Sequence, residues 1–326
     1  GVADTDFVLI VSAVATTACA GSTLAFASTC QRDQYDRPTL GYANFCPSKL
    51  SSDSEDWDEQ LATAVHELLH ALGFSSGSWA FFREDDGITP RTARDADGLP
   101  PYASTTCVDG SVQPAYVPAT TTLALGTERG QTVNRIVTPR VRAVVRDIFG
   151  CASLPGAELE NQPTGSGACF GSHWEQRLFT NELMASTNSH AQVYSALTLA
   201  LLEDSGWYRA NYSMAQPLLW GRGKGCSYVQ DRCVSGNGAT LLDGMCATAS
   251  PSSSGHYGCT SDLRAKGSCN LVTYSSALPS EYQYFTDPTL GGSTAVLGYC
   301  PHFVAYHECA TATAPYGTSR NFRAET

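Results

Sequence analysis

An α+β fold is predicted for this 326-residue chain, and three observations predict it. Short β-branched and apolar runs lie near the start. One strongly amphipathic helix follows them. A cysteine-rich stretch with little helical periodicity closes the chain. The expected arrangement is a mixed twisted sheet beside one principal helix, then a disulfide-rich, mostly non-helical C-terminal domain. With 42% hydrophobic residues the chain can bury a sizeable core, and its length suggests more than one domain.

The elements follow in order. Phe7-Val8-Leu9-Ile10-Val11 has the composition of a central strand. The apolar run from Phe7 to Cys19 is too short to span a bilayer and reads as a buried strand. No signal peptide is visible, so a mature, processed or partial chain is expected. Residues 23–27 and 40–45 are the second and third strand candidates. Residues 52–59 then supply N-cap types and negative charge, which favour a helix start. Trp57, Leu61, Ala64, Val65, Leu68, Leu69 and Leu72 recur at helical spacing, and Gly73 is a natural stop, so a helix is predicted over about 57–73.

From Ser76 to about Arg135 the pattern loosens into Asp, Gly, Pro and Thr, as expected of an insertion with long loops; that insertion is placed at about 76–165. A second helix begins at Thr138-Pro139, gathers Val141, Val144, Val145, Ile148 and Phe149 on one face, and ends at Gly150. A third runs over about 191–204 and ends at Gly206. After about Trp207 the character changes, which divides the chain into residues 1–209 and a cysteine-rich region, 210–326.

The formal net charge is −11, which excludes the phosphate-binding surface of a nucleic-acid partner and disfavours docking on anionic lipid. The 13 cysteines are too many for a reduced compartment, and no CxxC pair points to a metal finger, so disulfides and an extracellular or cell-surface location are expected. The number is odd, so one thiol is free or its partner lies outside the chain. Asn211-Tyr212-Ser213 is a glycosylation sequon, which fits secretion.

The chemistry centres on His66-Glu67-Leu68-Leu69-His70, an HExxH motif inside the best helix. Residues four apart share a helix face, so both imidazoles can reach one ion, and zinc is the usual ion for such a site. Glu67, beside the first ligand, reaches a water that the ion activates and serves as general base. A chance HExxH in a chain of this size is an event on the order of one per cent. Two buried imidazoles without a function would also be costly.

A third ligand is needed. The compact pattern HExxHxxGxxH keeps Gly73, but its last position is Ser76. The later candidate is His173, in Gly171-Ser172-His173-Trp174-Glu175, followed by Met184 in Asn181-Glu182-Leu183-Met184. A methionine shortly after the third histidine is what a Met-turn beneath a metal requires. Taken singly, His173 and Met184 would be an ordinary histidine and an ordinary core methionine; together with the helix motif and Gly73 they are far more specific.

At these residues the sequence resembles leishmanolysin, the surface metalloprotease family of kinetoplastids with relatives in other eukaryotes. The matching stretches also include Asp4-Thr5-Asp6-Phe7-Val8-Leu9, Leu202-Glu203-Asp204-Ser205-Gly206-Trp207-Tyr208 and Gly298-Tyr299-Cys300-Pro301, so the resemblance covers nearly the whole chain. It implies a metzincin-like zinc endopeptidase with one Zn2+ per chain. His66, His70 and His173 would be ligands, Glu67 the catalytic base and Met184 the Met-turn residue. It also implies protein or peptide substrates, with an edge strand near residues 24–27 pairing with extended substrate backbone. Some relatives are lipid-anchored, so any membrane attachment would lie outside this chain. The family's C-terminal domain is expected to run beyond Thr326.

Other residues weigh less. Glu175 and Glu182 flank the third ligand and are candidates to orient an imidazole; solvated or capping roles are as good a reading. His190, His256, His302 and His307 read as surface or structural, and Glu84-Asp85-Asp86-Gly87 as a loop whose spacing fails that of a calcium site. Ser186 stands where some metzincins have a Tyr. The competing function is a surface coat or adhesion glycoprotein on the same scaffold; an intact Glu67 with three histidines argues for the endopeptidase.

Overall fold

The structure, a computed structural model, describes residues 4–53, 56–162, 169–187, 192–248, 257–261 and 263–308. Three strands open it: β1 (Val8–Ser12), β2 (Ala25–Arg32) and β3 (Pro38–Phe45). Their order is β1-β3-β2, with β1 parallel and β2 antiparallel to β3. The strand at the centre is therefore β3. The run after Phe7 forms an edge strand among the described residues, and Ile10 and Val11 are 51% and 58% exposed, so it is neither central nor buried. A disulfide between Cys19 and Cys46 ties the β1–β2 connection to the end of β3.

Helix α1 (Trp57–Ala71) lies against this sheet. The contact is close at Gly41, where a Cβ would come within 2.8 Å of the Ala71 methyl, and Thr29 Oγ1 donates to Ala71 O at 2.9 Å. The helix follows the predicted period, but its apolar stripe is only partly covered: Trp57 and Leu61 are 65% and 50% exposed. Spacing reports which residues share a face, not what packs on it.

The insertion is more ordered than its composition suggests. It holds two hairpins, β4 (Tyr102–Thr106) with β5 (Val112–Tyr116), and β6 (Leu123–Glu128) with β7 (Gln131–Ile136). The second closes through Arg129 and Gly130, both with positive φ (57° and 81°), the geometry of a two-residue hairpin turn. Arg is uncommon there, which hid the turn. β7 also pairs with β8 (Ala157–Glu158).

Helix α2 (Pro139–Phe149) begins after Thr138 and stops at Gly150 in the left-handed region (φ 67°), as expected. Helix α3 (Ala196–Asp204) starts later than 191. Residue 191 lies outside the described residues, and Val193 is instead bridged to Glu182, before Ser195 caps the helix through its side chain. Beyond residue 209 the described helical structure is α4 (Cys226–Gln230) and short 3-10 turns among short strands.

Among the described residues five disulfides form: Cys19–Cys46, Cys107–Cys169, Cys151–Cys226, Cys233–Cys300 and Cys246–Cys269. Cys30 and Cys259 are exposed and have no disulfide partner among the described residues, and Cys309 lies outside them. One apolar cluster runs from Leu69 through Phe149, Trp174 and Leu201 to Trp220, Tyr228 and Cys300, so the cysteine-rich region shares its core with the rest. No helix among the described residues is long and apolar enough to cross a membrane.

Candidate metal centre

His66 and His70 stand one turn apart on α1, with ring centroids 4.6 Å apart and rings nearly perpendicular. His173 reaches them from across the molecule. Its Nε2 lies 3.2 Å from that of His70, which is 2.9 Å from that of His66. The three offer ligand atoms that all lie within 4.8 Å of one another.

The far nitrogens fix how these rings point. His66 Nδ1 lies 2.6 Å from Leu183 O, and His70 Nδ1 lies 2.6 Å from Phe74 O. A carbonyl oxygen can only accept, so each Nδ1 carries the proton and each Nε2 presents a bare lone pair. His173 Nδ1 lies 2.9 Å from Glu160 Oε1, which orients the third ring in the same sense. Three lone pairs aimed at one point repel unless a cation lies between them. This donor set fits zinc, which takes three protein ligands and keeps a fourth position open. His66 and His173 remain partly exposed, leaving that side accessible.

Glu67 is 5% exposed, and its Oε2 has no hydrogen-bond partner among the described residues. Burial pushes this carboxyl up to about 7, against an opposing pull from His173. Burial also holds the His66 imidazole at about 3, with His173 adding to the effect, and it holds His70 well below the usual range. Both are thus neutral and free to ligate. For His173 burial acts downward too, but the charge and hydrogen bond of Glu160 outweigh it and raise the ring.

Local sequence explains each placement. Gly73 (φ 111°) turns the chain back at the end of α1, bringing Phe74 O to His70. Ser76, where the compact pattern has its third histidine, fastens the segment that carries the distant one. Its N–H donates to Ser172 Oγ and its Oγ accepts from Phe170 N, both at 3.0 Å. Trp79 Nε1 adds a bond to Gly171 O at 3.1 Å. Glu160 N donates to His173 O, and Trp174 N donates to Met184 O, both at 2.9 Å.

Residues 1–325 match the family model described as leishmanolysin. The chain belongs to the leishmanolysin family. It is 39% identical over 326 residues to a leishmanolysin-like peptidase of Drosophila melanogaster, covering 93% of this chain and 46% of that protein. A leishmanolysin-like peptidase of Caenorhabditis elegans is 39% identical over 325 residues, covering 92% of this chain and 48% of its own length. Leishmanolysin of Leishmania donovani is 32% identical over 324 residues, covering 97% and 46%. The chain thus spans about half the length of these relatives.

In this leishmanolysin-family chain the structure brings His66, His70 and His173 together, with Glu67 buried on the same helix. Met184 is fully buried, and Asn211 is exposed, its Oδ1 accepting from Ser213 N. The carboxylate hydrogen-bonded directly to an imidazole is Glu160, rather than Glu175 or Glu182. Glu160 sits in the stretch read as insertion, and nothing in its local sequence marks it, because its role depends on a partner 13 residues away across a non-local bridge. His302 is buried, with Nδ1 3.2 Å from Asn270 Nδ2, a structural role. His190 and His256 lie outside the described residues, and His307 lies on strand β15 (Phe303–Glu308). Glu84 and Asp85 pair with Arg91 and Arg140, as suits a loop.

Proposed function

We propose that this chain is the catalytic part of a zinc-dependent endopeptidase that hydrolyses peptide bonds of protein substrates. The observation that carries the reading is the convergence of three Nε2 lone pairs beside a buried carboxylate with an unpartnered oxygen. His66, His70 and His173 would hold one Zn2+. Bound there, the ion would supply a Lewis acid that polarises the scissile carbonyl and lowers the pKa of water toward neutrality. Glu67 Oε2 accepts the proton of the attacking water and returns it to the leaving amine nitrogen. Its burial suits that exchange, since it keeps the carboxylate out of bulk water with Oε2 unengaged among the described residues. Met184, buried after the third histidine, is assigned to the Met-turn of a metzincin-like fold.

The edge position of β2 supports its pairing with extended substrate backbone. Residues 1–209 are assigned the chemistry and 210–326 the role of a cysteine-rich brace, fixed to the catalytic part by Cys151–Cys226. The five disulfides and the exposed sequon at Asn211 support an extracellular or cell-surface location.

The test compares the natural protein with Glu67→Ala on unfolded casein, alongside metal analysis. The natural protein is expected to hold about one zinc per chain and to cleave. Glu67→Ala is expected to keep the zinc and lose cleavage. Absence of zinc from the natural protein, or equal cleavage without Glu67, would sink the reading.

A further inference from the structure

We infer that Glu182 is a positioning residue for the metal centre: its buried carboxylate fastens the turn carrying Leu183 and Met184 to the start of α3, and so holds two of the three histidines in place. The inference rests on the zinc reading given above.

Glu182 is 0% exposed, a place where an ionised carboxylate survives only if fully hydrogen-bonded. Its Oε1 accepts from Ser195 Oγ at 2.7 Å and from Thr198 Oγ1 at 2.6 Å, and its Oε2 accepts from Met184 N at 2.5 Å. Ser195 is the N-cap of α3, where negative charge is favoured. That cap needs no help from Glu182, because Ser195 Oγ itself accepts from Leu197 N at 3.1 Å. What the carboxylate adds is a tie between the helix start and the turn.

Two routes lead from this tie to the ligands. Along the first, Glu182 fixes Met184 N, and the preceding carbonyl, Leu183 O, accepts from His66 Nδ1 at 2.6 Å. Along the second, Trp174, next to His173, donates its N–H to Met184 O at 2.9 Å and its Nε1–H to Thr198 Oγ1 at 3.0 Å. The Thr198 hydroxyl therefore accepts from Trp174 and donates to Glu182. His70 hangs on Phe74 O instead, outside the hydrogen bonds of this network.

Asp204 provides the contrast. It is also 0% exposed, but it accepts from Arg140 N and Val141 N at 2.8 and 3.0 Å and has no bond to the histidines or their partners. The test measures zinc affinity by competition with a chelator of known affinity, thermal unfolding, and kcat and KM on one peptide, in the natural protein and in Glu182→Ala, Glu182→Gln and Asp204→Asn. Glu182→Ala is expected to weaken zinc binding about 10- to 100-fold, the usual effect of losing a residue that orients ligands. It is also expected to lower kcat at saturating zinc with KM unchanged. Glu182→Gln keeps an acceptor for Met184 N and is expected to recover most of the affinity. Asp204→Asn is expected to lower the unfolding temperature and leave zinc affinity alone. If Glu182→Ala cannot be recovered folded, Thr198→Val and Glu182→Gln carry the test, each with a smaller loss of affinity. Unchanged zinc affinity in the Glu182 and Thr198 variants, beside a natural protein that binds zinc, overturns this inference alone. A natural protein that binds no zinc overturns the function reading as well.

Discussion

Glu160 Oε1 accepts from Ser172 N and lies within hydrogen-bond reach of His173 Nδ1, at 2.9 Å in each case. One oxygen therefore fixes both the backbone that delivers the third histidine and the rotation of its ring. Glu160→Ala frees that ring and removes the charge that raises it. Zinc release to excess chelator is expected to quicken about 10- to 100-fold, with Glu160→Gln in between. Release at the natural rate from Glu160→Ala would show that packing alone orients His173.

Gly73 occupies φ 111°, and a Cβ there would meet the Trp207 ring at 2.8 Å. Gly73→Ala should cost about 1–3 kcal/mol of folding stability from the strained backbone alone. It should also weaken zinc binding, because the same turn returns Phe74 O to His70. Denaturant unfolding with metal analysis checks both, and a variant as stable as the natural protein would refute the strain.

Cys107–Cys169 closes a loop of 62 residues and anchors the chain just before Gly171 and His173. The chain-entropy relation gives about 4 kcal/mol for such a loop. The paired change Cys107→Ser and Cys169→Ser should lower stability by that order and reduce zinc content after dialysis. Retention of both would mean that the Ser76 bonds hold this segment unaided.

Glu158 is 1% exposed and pairs with Arg129 at 2.6 Å, with Arg135 3.7 Å away. Burial acts to raise its pKa, but Arg129, then Arg135 and Arg177, outweigh burial and hold the carboxyl below its ordinary 4.5. Its stabilising contribution is therefore complete above 4.5 and lost as pH falls through its lower folded value. Urea unfolding measured against pH should show stability declining on the acid side of that window. Glu158→Gln should flatten this decline and cost about 3–5 kcal/mol at neutral pH, since Arg129 is left buried without its partner. An unchanged acid slope in the variant would assign the decline to other carboxylates.

Much of the site is legible in the sequence, because helical spacing alone places His66 and His70 on one face. α2 is legible to the residue, since Thr138-Pro139 and Gly150 are local signals with local causes. The β6–β7 hairpin is not, because its turn puts Arg129 at a positive φ that Asn, Asp or Gly normally takes. The exposure of Trp57 and the edge position of β1 are hidden for another reason: periodicity reports a shared face, while burial depends on what packs there.

The sequence by itself determined the pair of helical histidines, the carboxylate between them, the candidate third histidine and the oxidised cysteines. The helical pair depends on residue type and short-range spacing, the third histidine on its company with Met184 and the helix motif, and the oxidised cysteines on their number. Only the tertiary structure decided which groups orient the imidazoles: Leu183 O for His66, Phe74 O for His70 and Glu160 for His173. Two of these acceptors are backbone carbonyls, which every residue carries, and the third is one carboxylate among many. Chain path and close packing, rather than side-chain identity, bring them within hydrogen-bond reach.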